Sequence, residues 1–196
     1  MKRLLLAAVG VLALAACTED ARLPVDAATP RFASGDAWRI FGSSSSPAST
    51  LDATGGWEVG TRFYATAAGC ITHLHFYKAS GESGDNYVKV WTNSGTLLYS
   101  GKIADSFSGT GWKTLFLAPL VGPPIIQSIC IPANTYYRVT VNTNVKQGKT
   151  LGYFDSGAVV HGALVADKGY YGQPAGSFPT TQSGSGFFVD VTFVED

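Results

Sequence analysis

The sequence predicts an all-β fold, a two-sheet antiparallel β-sandwich of jelly-roll type. Three observations carry this. From residue 58 onward, apolar and polar residues alternate in short runs, the period of a strand with one wet face. Glycine is plentiful, 23 residues in 196, and with Ser, Asn and Pro it separates those runs, where turns are needed. No segment repeats apolar residues at three and four spacing, so no amphipathic helix is predicted.

The chain opens with a segment outside that fold. In MKRLLLAAVGVLALAAC, Lys2 and Arg3 precede an apolar run from Leu4 to Ala16, and Cys17 follows. A short basic region, an apolar stretch and small residues at the cut mark 1–16 as an export signal. The run is too short to span a bilayer as a stable helix. Leu14-Ala15-Ala16-Cys17 resembles the bacterial lipobox. That resemblance implies a diacylglycerol on the Cys17 thiol, cleavage before it and acylation of the new amine, and several acyl chains together anchor stably. The expected location is extracytoplasmic, as a membrane-anchored bacterial lipoprotein. Thr18 in place of aspartate after Cys17 points to the outer membrane if the cell has one. Residues 17–37 carry Pro24, Pro30, small residues and scattered charge without periodicity, and read as a tether. A single sandwich domain is then predicted over 38–196.

The strands follow in order. Segments 58–66 and 70–78 alternate, and 86–92 and 96–103 flank Asn93-Ser94-Gly95, a good hairpin turn. Segments 111–118, 124–131 and 135–143 come next, 149–154 is short, and 186–193 closes the domain. Eight or nine such strands joined by short loops suit two antiparallel sheets.

Charge and cysteine content narrow the function classes. Charged residues make up 14% and the formal net charge is zero, which gives no basic face for nucleic acid. Cutting Lys2 and Arg3 away takes the 14 basic residues to 12 against 14 acidic ones. Of three cysteines, Cys17 is spent on lipid, leaving Cys70 and Cys130. An even remainder in an oxidising compartment means a disulfide. It would close a loop of about sixty residues, worth on the order of 4 kcal/mol in the chain-entropy model.

Seven short motifs carry a family resemblance. They are Phe41-Gly42 with Pro47, then Glu58-Val59-Gly60-Thr61-Arg62-Phe63, then Ile71 to Lys78. After these come Trp91 with Gly95-Thr96-Leu97-Leu98, Gly111-Trp112, Gly176-Ser177-Phe178-Pro179-Thr180, and Val189-Asp190-Val191-Thr192-Phe193. In this order they resemble the bacterial domain-of-unknown-function family 4082, over nearly all of 40–193. The resemblance implies a β-sandwich on exported or surface proteins, similar in outline to carbohydrate-binding modules. It brings no activity and no catalytic residues. The Cys70–Cys130 pair, His73 and His75 depart from that pattern.

The candidate chemistry is thin. Strand alternation puts Ile71, His73, His75 and Tyr77 on one face. Two histidines at i and i+2 can chelate zinc or copper, with His161 as a third ligand in principle. A competent site needs three or four ligands and a second shell, and neither H-E-x-x-H nor clustered Cys/His spacing occurs, so no metal site is assigned. No G-x-S-x-G elbow occurs either. The acids Glu58, Asp85, Asp155, Asp167 and Asp190 are scattered. They do not suggest the convergent pair that glycoside hydrolysis requires, though a structural calcium between loops could use some of them. No other cofactor is expected. Trp91 and Trp112 read as core or edge packing.

Aromatics remain. Tyr153, Phe154, Tyr170, Tyr171 and Phe178 crowd the last third among glycines, in what reads as loop, with Gln173 and Asp167 nearby. Flat rings beside hydrogen-bonding groups suit sugars, so Tyr153, Tyr170, Tyr171 and Gln173 are the candidate ligand-binding residues. Phe178 is expected instead to pin its loop onto the sandwich. The function read from sequence is a lipid-anchored, non-catalytic binding module, with a glycan as ligand. A structural or adhesive surface protein with a protein partner is the alternative, and a metal-dependent or glycoside-hydrolysing enzyme the third reading.

Overall fold

The computed structural model describes residues 36–103, 109–117 and 128–196. The predicted export signal, Cys17, most of the predicted tether, residue 118 of the predicted strand 111–118 and residues 124–127 of the predicted strand 124–131 lie outside the described residues. Among the described residues every regular element is a strand. They are β1 (Ala37–Arg39), β2 (Ser49–Asp52), β3 (Trp57–Ala65), β4 (Gly69–Lys78), β5 (Asn86–Thr92), β6 (Leu97–Ile103) and β7 (Gly111–Phe116). Then come β8 (Ile129–Ile131), β9 (Tyr137–Thr143), β10 (Lys146–Lys149), β11 (Val159–His161), β12 (Leu164–Gly172), β13 (Thr181–Ser183) and β14 (Val189–Glu195).

These strands build a two-sheet antiparallel sandwich. The smaller sheet runs β1-β14-β4-β7, with β8 beside β4. The larger runs β11-β12-β3-β9-β5-β6, with β13 beside β12, and β2 and β10 form a separate ribbon. The pairings are nested. The hairpin β5·β6 is innermost, β4·β7 surrounds it, β3·β9 surrounds that, and β1·β14 is outermost. A long hairpin rolled up this way is the jelly-roll arrangement of two Greek keys. β12 is an addition that pairs with the outer side of β3.

Alternation explains the core. Val59, Phe63 and Ala65 of β3, with Val139 and Val141 of β9 beside them, face Leu74 and Phe76 of β4 and Val189, Val191 and Phe193 of β14. Each large apolar side chain so buried contributes roughly 1.5–3 kcal/mol. The Cys70–Cys130 disulfide forms across β4 and β8, where the two residues are register partners.

Asp190 of β14 is fully buried and fixes the entry of the chain into the domain. Its carboxylate accepts from the Ile40 N–H at 2.8 Å, the Phe41 N–H at 3.1 Å and Arg39 Nε at 3.1 Å. Burial pushes this carboxyl up to about 6, against the pull of the Arg39 guanidinium and the backbone donors. Glu82 does similar work on a turn. It accepts from the Asn86 side chain and from the backbone N–H groups of Asn144, Val145 and Lys146.

Four readings from sequence need correction. The segment 149–154 is mainly turn, and the strand there is β10, ending at Lys149. The "loop" holding Tyr170 and Tyr171 is the nine-residue strand β12. The boundary at residue 38 cuts into β1, which begins at Ala37. Ile71 does not share a face with His73 and His75. The register with β14 slips between Thr192 and Phe193 and leaves Thr72 unpaired, and a bulge reverses the alternation. Ile71 therefore enters the core while the histidines stay on the outer face.

Candidate functional site

The residues predicted to bind ligand do not form one platform. Tyr170 is 1% exposed. Tyr171, the next residue on the strand, turns the other way and packs on Trp57 and Phe187, with centroids 5.9 and 6.1 Å apart. Tyr153 packs half-buried against Phe41, Phe154 and Phe188. Gln173 is exposed. Tyr153 and Tyr171 thus border the Phe187–Phe188 pair, and Tyr170 lies on the opposite face of β12.

That opposite face is the outer face of the large sheet. Period two places Glu58, Gly60, Arg62 and Tyr64 of β3 there with Tyr136, just before β9, and Arg138, Thr140 and Asn142 of β9. Rings and guanidinium groups alternate across it. Phe178 lies 5.5 Å from Trp91. The Arg138 guanidinium sits between Phe178 and Tyr170, 4.2 and 3.6 Å from their centroids. Arg62 lies 5.9 Å from the Tyr170 ring and 4.6 Å over Tyr136, and Tyr136 meets Tyr64 edge-on at 5.0 Å. Cation–π contacts of this kind contribute roughly 0.5–2 kcal/mol each, more where water is excluded.

One end of this ladder is sealed. Residues 173–179, between β12 and β13, cross it as a strap. The Gly176 N–H donates to Glu58 Oε2 at 2.8 Å, and Arg138 Nη1 donates to the Pro179 carbonyl. Phe178 pins the strap, as expected from sequence. Beneath it Lys89 Nζ donates to both oxygens of Glu58, at 3.1 and 2.9 Å. The Trp91 indole N–H donates to Thr140 Oγ1 at 2.8 Å, and the Thr140 hydroxyl donates to Glu58. Glu58 is fully buried and Lys89 nearly so.

The other end is open. Arg62 donates through Nε to Asp167 Oδ1 at 2.9 Å and through Nη2 to Oδ2 at 2.5 Å. Asp167 beside it holds the guanidinium above its ordinary range. The side chains of Arg62 and Asp167 are 20% and 21% exposed, and Tyr136 is 36% exposed. Asp167 stands at a β-bulge. The register of β12 with β3 passes from Ala166↔Phe63 to Lys168↔Arg62, skipping it, and bulges commonly re-aim a side chain. The sequence did not single out Arg62, Arg138, Tyr64 or Tyr136 for binding. The available signal was arginine and tyrosine at the alternate positions that face away from the core.

The other candidates are held locally. His75 is bonded through Nδ1 to Thr114 Oγ1 at 2.9 Å and through Nε2 to Thr192 Oγ1 at 2.7 Å. Burial, with Arg39 and His73 adding to it, pushes its pKa down to about 3. His73 stacks on it at 5.9 Å, and His161 bonds the Arg39 carbonyl at 3.1 Å. Among the described residues, no three His, Cys, Asp or Glu side chains gather as a metal-holding group. Asp85 pairs with Lys102 at 2.7 Å and Asp190 with Arg39, and Asp155 lies beside Gly152 and Gly184. Trp112 donates its indole N–H to the Ser45 carbonyl at 2.8 Å. A shallow cleft of about 520 Å³ runs between Trp38, Arg39, Ser43, Val160 and His161.

A family model described as Domain of unknown function (DUF4082) matches residues 44–189. No curated protein matches the chain.

Proposed function

The chain belongs to the DUF4082 family, and from that premise we propose that it is a non-catalytic glycan-binding module carried outside the cytoplasm on a lipid at Cys17. One observation carries the glycan reading. The outer face of the large sheet presents Tyr136, Tyr64, Arg62 and Asp167 together and partly exposed, and rings beside fixed polar forks are what a shallow sugar site requires. This moves the site away from Tyr170, whose ring is buried, and away from Tyr153 and Tyr171, which lie on other surfaces. The anchor rests on the lipobox-like Leu14-Ala15-Ala16-Cys17.

Two experiments test the halves separately. Cys17→Ser is expected to release the protein from membranes and leave the precursor uncut. Unchanged fractionation with normal processing would reject the anchor. For the ligand, retention of the protein on immobilised polysaccharides is expected to fall about tenfold in Tyr136→Ala, the loss of roughly 1.4 kcal/mol, with the melting temperature nearly unchanged. An early melt with unaltered retention would make the ring structural. Exposed Leu97, Leu98 and Phe116 favour the second reading, a structural or adhesive surface protein that binds another protein.

A further inference from the structure

We infer that the open end of the ladder reads an uncharged vicinal diol, the adjacent ring hydroxyls of a neutral sugar, through the Arg62–Asp167 fork. This rests on the glycan reading above and names the chemistry of that same site. A carboxylate offers about four lone-pair sites and a guanidinium five N–H donors. The bidentate pair uses two of each, Nε–H to Oδ1 and one Nη2–H to Oδ2. Asp167 keeps one acceptor site on each oxygen, and Arg62 keeps three donors. Both side chains reach solvent.

A hydroxyl both donates and accepts. Two adjacent hydroxyls can therefore give their protons to the Asp167 oxygens while taking N–H from Arg62. A carboxylate ligand has nothing to donate to Asp167 and meets its charge. The guanidinium's own charge is already balanced within the pair, so an anion gains little from it. Tyr136 supplies the apolar contact for the sugar ring, and Tyr64 extends it. The bulge supports the assignment independently of the bond count. A regular strand would place a single side chain opposite Arg62. Here the residue in register with Arg62 is Lys168, and the bulge brings Asp167 onto the guanidinium in addition. Lys168 adds one cation to the row, so an anionic glycan is the alternative to be excluded.

The test is affinity gel electrophoresis of the full chain in gels cast with galactomannan, xylan or dextran, each also in periodate-cleaved and borohydride-reduced form, and with polygalacturonate. Periodate cuts vicinal diols and leaves other hydroxyls. Retardation by at least one intact neutral polymer, lost about tenfold or more after periodate, is expected. Asp167→Asn keeps the size of the side chain, but its amide leaves a single acceptor oxygen and Arg62's charge unbalanced. It is expected to lose neutral-polymer retention about tenfold and to gain retention by polygalacturonate. Asp167→Glu, which restores the carboxylate, is expected to recover part of the loss, and separates site chemistry from misfolding. Retention by polygalacturonate alone, or equal retention of cleaved polymer, overturns the diol and leaves a glycan-binding module standing. Retention by none of the polymers overturns both.

Discussion

The two ends of the aromatic–arginine ladder contain the same chemistry and do different things with it. At one end Glu58 pairs with Lys89, and Arg138 stacks on Tyr170. At the other Asp167 pairs with Arg62, and Arg62 stacks on Tyr136. The strap of residues 173–179 excludes water from the first and leaves the second wet. A buried ion pair is costly to break because the surviving charge is stranded. An exposed pair contributes little to stability and stays available to a ligand. Residue type therefore does not assign these groups to structure or to function; the cover over them does.

The largest expected effect breaks the sealed pair. Glu58→Ala strands the Lys89 ammonium beneath the strap and is expected to cost about 3–5 kcal/mol, read by denaturant unfolding. Replacing both Glu58 and Lys89 by Met is expected to recover most of that loss, because no charge is left without a partner. A Glu58→Ala protein as stable as the parent would mean that the strap does not exclude water. The open pair is the control, and Asp167→Asn is expected to change stability by less than about 1 kcal/mol.

Truncating the rings sharpens the same contrast. Tyr170→Ala removes a buried ring and is expected to cost about 3 kcal/mol, whereas Tyr136→Ala is expected to stay within about 1 kcal/mol. Similar losses at both positions would erase the distinction between the ends.

Acid provides a smaller effect from outside the ladder. His75 lies on the outer face of the other sheet, with a pKa pushed down to about 3. The unfolded chain binds its proton near 6.5, so stability is expected to fall as pH drops through that window, by about 2 kcal/mol at pH 5. Asp190, raised to about 6, works in the opposite direction below pH 6. The difference in slope between the parent and His75→Gln isolates the histidine. Equal slopes would show that His75 charges freely in the folded protein.

Much of the fold was legible because it rests on alternation and turn chemistry. The β5–β6 hairpin at Asn93-Ser94-Gly95 is an example, with Gly95 at φ 97°. The disulfide was legible because Cys17 falls in the lipobox-like segment and leaves Cys70 and Cys130 as an even remainder. What escaped was local irregularity. β12 reads as loop because Gly169 and Gly172 punctuate it and the bulge at Asp167 breaks its period. β1, β11 and β13 have three residues each, too few to show a pattern. The bulge at Thr72 turned the reading of Ile71 inside out. The site escaped for a different reason. Arg62 meets Asp167 across 105 positions and stacks on Tyr136, just before β9. Such neighbours are made by sheet topology, and no spacing along the chain announces them.

The nested pairing also sets a timetable. β5 and β6 are joined by the four residues 93–96, whereas β1 pairs with β14 from Ala37 to Val194. Closing a short loop costs less entropy than closing a long one, and folds dominated by distant pairings form slowly. The hairpin is therefore expected to form first and to act as the seed on which each outer pair is wound. A chain delivered N-terminus first must hold β1 unmated until its last residues arrive. Pulse-labelled hydrogen exchange during refolding is expected to protect amides of β5 and β6 well before those of β1. Simultaneous protection would mean that the roll closes in one step, with no interval in which the first strand waits for the last.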